Sequence, residues 1–137
     1  MNPINLEFLE YAKRFHGHLG PFLVIGLRMG MLARERLGNP DPVHSLEAMV
    51  ELENKRPVSC LIDGIQLSSG CTLGKGNIRV MEGSGVWALF RSGGRKLRIS
   101  LREEIKSRVL ETPGEEAVKM IIEKSDEDLF EVEDVES

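Results

Sequence analysis

Apolar positions along this chain change their spacing several times, and each change marks an element. Leu6, Leu9 and Ala12 or Lys13 fall three or four apart as far as Phe15, which predicts a first helix capped by Asn2 with Pro3 just inside it. From Pro21 to Leu37 the positions Leu23, Leu27, Gly30 and Ala33 or Arg34 keep helical spacing. Val24, Ile25, Met29, Met31 and Leu32 then make this helix apolar nearly all round, the pattern of a central element. Gly20 is a place for a loop to enter it, and Pro21 suits the first helical position, where a missing N–H costs nothing. Gly26 and Gly30 each cost about 1 kcal/mol against alanine in a helix, so close approach of another backbone is the expected reason for them. Gly38, Asn39, Pro40, Asp41 and Pro42 form a stop and turn.

Alternation follows. Over His44 to Glu53, Leu46, Ala48, Val50 and Leu52 face one way and Glu47, Glu51 and Glu53 mostly the other, which predicts a half-buried strand. Helical spacing returns from Cys60 to Ser69, with Leu61 and Ile65 on one face and Gly70 placed to end the helix. Cys71 to Gly76 is a glycine-rich loop. Ile78–Met81, Val86–Phe90 and Leu97–Leu101 are three further strands joined by Gly83-Ser84-Gly85 and Gly93-Gly94, so hairpins and an antiparallel meander are expected. A helix is predicted over Arg102 to Leu110. Thr112-Pro113-Gly114-Glu115 reads as a capping box for a last helix to about Lys124. The pattern as a whole predicts an α+β fold, an antiparallel sheet with flanking helices and one central apolar helix. The tail from about 126 to 137 is acidic but interspersed with Leu129, Phe130, Val132 and Val135, so two fates stand open for it: solvated, or laid along the body or a partner.

Composition narrows the class without naming a function. With 137 residues the chain suits one domain with a real core. Charged residues make up 29% and hydrophobic ones 41%, as in soluble globular proteins. The longest apolar run, Phe22 to Leu27, is too short to cross a bilayer and Met1 begins no signal-peptide pattern, so no membrane association and a cytoplasmic location are expected. A net charge of −4 without a basic, aromatic-interleaved cluster argues against nucleic acid as a partner. Two cysteines outside a secretory context leave ligand, redox or core roles.

Candidate chemistry starts at His16-Gly17-His18, immediately before the central helix. Residues two apart do not share a helix face, but a bent loop with glycine between them can turn both imidazoles inward toward a metal or a polar ligand. Free N–H groups at the following helix start suit an anion or a thiolate. Cys60 and Cys71 would complete an N2S2 set of the kind zinc takes. One unbroken helix between them would hold the two sulfurs about 16 Å apart, however, so the chain must fold back after Gly70 or the cysteines serve different sites or different copies of the chain. An isolated cysteine is ordinarily a small buried hydrophobe; Cys60 is the favoured ligand because a helix start stabilises a thiolate. Asp63 and Gln66 are three apart on that helix and would share a face, which is also what any solvated polar face looks like. Thr72, Lys75 and Asn77 are candidates to hold an anionic substrate group. Gly70 to Gly76 falls short of a phosphate loop, because its spacing is short and no hydroxyl follows Lys75.

In order, the blocks FHGHLGP…IGLRMG, C-x-x-D-G-I-Q and G-C-T-x-G-K-G-N make the chain resemble the FmdE family, the E component of formylmethanofuran dehydrogenase, over most of its length. The resemblance groups His16, His18, Cys60, Asp63, Gln66, Cys71, Lys75 and Asn77 in one site. It implies zinc or another divalent transition metal, an α+β core and a homodimer, with exchange of elements as one form of it. Many relatives carry cysteine two positions after the second histidine, where this chain has Gly20, so a ligand is missing or replaced by water. Longer relatives add a cysteine-rich zinc ribbon, which this sequence lacks. The family name points to one-carbon chemistry on formylmethanofuran with a molybdenum or tungsten pterin; nothing in this sequence is suited to that cofactor, and the reaction is not assigned to it. The leading expectation is a metal-binding protein with an accessory role beside a metalloenzyme partner. One alternative is a small zinc enzyme acting on an anionic substrate, with Asp63 as base and Lys75 orienting the anion. The other is a metal-free redox or interaction module using Cys60 and Cys71.

Overall fold

The computed structural model describes residues 4–135. Asn2 and Pro3, expected to start the first helix, lie outside them; α1 runs Leu6–His16, with Asn5 as its cap accepting from the Glu7 N–H at 2.7 Å. Leu9 and Ala12 of α1 are buried, whereas Leu6 faces solvent, so the apolar stripe is narrower than its spacing indicated. Gly17 closes α1 at φ 108°, a left-handed conformation that a residue with a Cβ rarely adopts.

The central helix α2, Pro21–Arg36, starts after Gly20 with proline in its first turn, and its residues 22–30 are all buried. It packs along α3, Cys60–Ser69, and also meets α5, Gly114–Glu123, and strand β4, Arg95–Leu101. Glycine makes the α2–α3 contact possible. A Cβ at Gly26 would run into the Leu61 carbonyl oxygen, one at Gly64 into that of Leu23, and one at Gly30 into the Ser68 hydroxyl. Ser68 adds a hydrogen bond from its hydroxyl to the Gly26 carbonyl at 3.2 Å.

The sheet has five strands in the order β2-β1-β3-β4-β5, with β1 Glu47–Leu52, β2 Ile78–Glu82, β3 Trp87–Ser92 and β5 Phe130–Val135. The α+β class holds, and the sheet is mostly antiparallel with helices on it, but the expected meander does not form. β1 lies between β2 and β3, parallel to the first and antiparallel to the second. Alternation fixes which face of a strand is apolar and says nothing about which strand lies beside it. Here α3 carries the chain from the end of β1 back to the start of a parallel β2, a crossover that leaves only β1's other edge for β3. The Gly93-Gly94 turn is a true hairpin, closed by Ser92 opposite Arg95.

Ala48, Val50, Leu52, Ala88, Phe90, Leu97, Ile99 and Leu101 form the buried sheet face under the helices. α4 spans Glu103–Glu111. The capping box at Thr112 is not made: Pro113 occupies the cap position, and the Thr112 hydroxyl donates back to the Arg108 carbonyl at 2.5 Å. As far as Val135 the acidic tail is docked, its last two residues lying outside the described ones: a short α6, Asp126–Leu129, leads into β5, whose Glu133 lies opposite Arg98 of β4.

Candidate functional site

Local structure brings His16, His18 and Asp63 to one end of α3. His16 is the last residue of α1, and the left-handed Gly17 turns the chain so that the His16 and His18 rings lie 5.8 Å apart between centroids. Asp63 is in the first turn of α3, and its Oδ2 accepts a hydrogen bond from His16 Nδ1 at 2.6 Å, with the imidazole 13% and the carboxylate 37% exposed. A carboxylate only accepts here if Nδ1 carries the proton, which leaves the lone pair on Nε2 of the neutral ring. This is the arrangement by which a carboxylate orients an imidazole that binds a metal or takes a proton. Asp63, expected as a general base, has His16 as its hydrogen-bond partner.

Gly20 lies beside His18. A Cβ at Gly20 would come 3.0 Å from His18 Cε1 and 3.3 Å from Nε2, while its backbone, at φ −120°, is one any residue adopts. Position 20 thus borders an exposed imidazole.

Cys60 opens α3 one turn before Asp63 and is partly buried. Its thiol is pushed above the ordinary range, first by burial and then by the Asp63 charge, against the pull of Arg56. The helix-start argument for a stabilised thiolate is thus outweighed in the free protein, since desolvation and a neighbouring carboxylate both disfavour the anion. Cys71 is fully buried beyond the other end of α3, where burial also raises its thiol. Nine helical steps, about 14 Å, separate Cys60 from Ser69, and Cys71 follows beyond that far end, so α3 holds the two cysteines at its opposite ends. Among the described residues no group of three or more His, Cys, Asp and Glu side chains is gathered closely enough to hold a metal.

The remaining candidates form a second cluster around Cys71. Gln66 shares the helix with Asp63 but serves the opposite end, its Oε1 accepting from the Leu73 N–H at 2.8 Å. Asn77 Oδ1 accepts from the Thr72 N–H at 2.8 Å, and its Nδ2 donates to the carbonyls of Pro42 and Leu46. Lys75 Nζ donates to Thr72 Oγ1 at 3.0 Å. Thr72, Lys75 and Asn77, expected to hold an anion, hydrogen-bond within their own loop and, through Asn77, to the Pro42 and Leu46 carbonyls.

Sequence reasoning missed Arg28. It is 3% exposed on α2, donating to the Ile121 carbonyl at 2.7 Å and pairing with Asp126 at 2.9 Å. One arginine inside the otherwise apolar stretch from Phe22 to Ala33 was the available signal, since a buried guanidinium needs partners.

The family described as FmdE, Molybdenum formylmethanofuran dehydrogenase operon, matches residues 15–131, which contain every candidate residue above. A protein of Archaeoglobus fulgidus named "Probable S-adenosyl-L-methionine-binding protein" is 37% identical over 81 residues, 56% of this chain and 21% of the relative. The chain therefore spans little more than a fifth of that relative's length. No helix among the described residues is long and apolar enough to cross a membrane.

Proposed function

Because this chain belongs to the FmdE family, and is so related to a component of formylmethanofuran dehydrogenase, we propose that it binds a divalent transition metal, with zinc first among them, at the His16–His18 end of α3. The observation that supports this most is the 2.6 Å His16–Asp63 hydrogen bond, which holds one imidazole with Nε2 available. His16 and His18, whose rings lie 5.8 Å apart, are the first donors in this reading; Cys60 joins them as the metal binds, since the three are not gathered in the metal-free chain, and Asp63 orients His16 from behind. Two imidazoles and a thiolate match zinc's preferences and leave a fourth position for water or a ligand. Cys60's raised thiol gives up its proton when the metal binds, so loading releases protons. Cys71 lies outside this donor set and serves the core. A homodimer, a cytoplasmic location and an accessory role beside a metalloenzyme complete the reading.

Elemental analysis of metal-loaded, desalted protein tests it on wild type, His18→Ala and Cys60→Ala. About one zinc per chain in wild type, lost in both variants, is the expected result. No retained metal in wild type refutes it.

Two other readings each have a supporting observation. The His16–Asp63 pair also suits proton transfer, with His16 as base and Asp63 positioning it. The relative's name supports S-adenosylmethionine as a ligand, and titrating the same preparations with it calorimetrically decides that reading by the presence or absence of binding heat.

A further inference from the structure

On the sheet's second face the side chains of Glu47, Met49, Arg79, Leu89, Arg91 and Arg98 are half-buried or exposed, and the cross-strand order follows from the register. Arg79, Met49, Leu89, Arg98 and Glu133 form one row across β2, β1, β3, β4 and β5. A cavity of about 330 Å³ opens over the first three of these, with Glu47, Arg91 and the loop at Gly76 at its end. Met49 and Leu89 are half-buried and supply an apolar floor.

Charges around this floor are unevenly matched. Arg91 is paired with Glu47 at 2.8 Å, Glu51 accepts from Trp87 Nε1 at 3.0 Å, and Arg98 stacks over the Trp87 ring at 4.2 Å. The two carboxylates that β1 places on this face are thus occupied. Arg79 is exposed at the cavity wall and makes no hydrogen bond or ion pair among the described residues. Arg79, Arg91 and Glu47 together leave one positive charge, and it is Arg79's.

We infer that this cavity is a binding site for a small monocarboxylate with an apolar body, whose carboxylate pairs with Arg79 and whose body lies on Met49 and Leu89. A guanidinium offers a carboxylate two parallel N–H donors, and half-buried Met and Leu gain from apolar cover. The volume lies at the lower end of small-molecule sites, about 300–1,000 Å³. The site is separate from His16 and Asp63, which lie on the helix-covered side beyond the other end of β1. It does not depend on the metal reading.

Backbone amide NMR of the full chain, titrated with 4-phenylbutyrate and separately with inorganic phosphate, tests it. Saturable shifts at Met49, Gly76, Arg79, Leu89 and Arg91 are expected for the carboxylate, with much weaker binding of phosphate. Arg79→Glu should weaken phenylbutyrate binding about tenfold or more, as loss of a charged hydrogen-bonding pair does. Arg95→Glu, at the β3–β4 turn, should leave it unchanged. Shifts that never saturate or map elsewhere, phosphate binding as tight as phenylbutyrate, or an unaltered Arg79→Glu titration would each overturn the inference.

Discussion

His16 and Asp63 are 47 positions apart and meet at 2.6 Å. Each residue type was legible in the sequence as chemistry, but their pairing was not, because only the packing of α1 on α3 puts them together. The cysteines show the reverse: a helix start suggested an activated Cys60, and its surroundings raise the thiol instead. Burial raises the Cys71 thiol as well. The sign of the pH effect follows from which state holds the proton. A raised thiol pKa means that the folded chain keeps its proton where the unfolded chain has released it. Stability is therefore unaffected well below the ordinary thiol value of 9.0 and falls as pH rises through it. Urea midpoints measured from pH 7 to 10 should decline at the alkaline end in wild type and decline less in Cys71→Ala; parallel curves would show that Cys71 contributes nothing to this limb.

At the scale of elements, the glycines of α2 announced a close neighbour without saying which. α3 is that neighbour, and it answers with Gly64, so each backbone occupies the space that the other's missing side chain leaves. Gly64→Ala must force the helices apart, and the expected loss is about 3 kcal/mol or more, at or above the upper end of ordinary overpacking. Gly114→Ala, where a Cβ meets nothing, should stabilise by about 0.4–1 kcal/mol through the unfolded state. Equal denaturation midpoints for the two variants would contradict this account. The loop after α3 shows the limit of motif reading. Thr72, Lys75 and Asn77 looked like anion ligands because residues that hold a ligand and residues that hold a loop share the same polar groups. The hydrogen bonds to Pro42, Leu46 and within the loop show the loop-holding use.

Across the whole molecule, Arg28 joins parts of the chain that local patterns treat separately. Its guanidinium ties the central helix to the end of α5 and to Asp126 at the start of α6, just before the edge strand. Arg28→Ala leaves Asp126 and a buried carbonyl unpaired, and a loss of about 3–5 kcal/mol is expected in urea unfolding. A loss below about 1 kcal/mol would mean that water replaces the pair. The acidic tail is also decided at this scale. Its composition allowed a solvated segment, and the structure makes it an edge strand because β4 supplies Lys96, Arg98 and a buried face for Phe130. By itself the sequence determined where the helices as far as Lys124 and the first four strands form, most of the faces they bury and the α+β class, and it marked residues whose chemistry suits a metal, because spacing and side-chain chemistry are local properties. Tertiary structure alone decided that β1 separates β2 from β3, that Asp63 serves His16 while Gln66 serves the loop, that Cys60 and Cys71 lie at opposite ends of a helix, and that Arg79 faces an open cavity. Each of these depends on which distant surfaces pack together, and no local period carries that information.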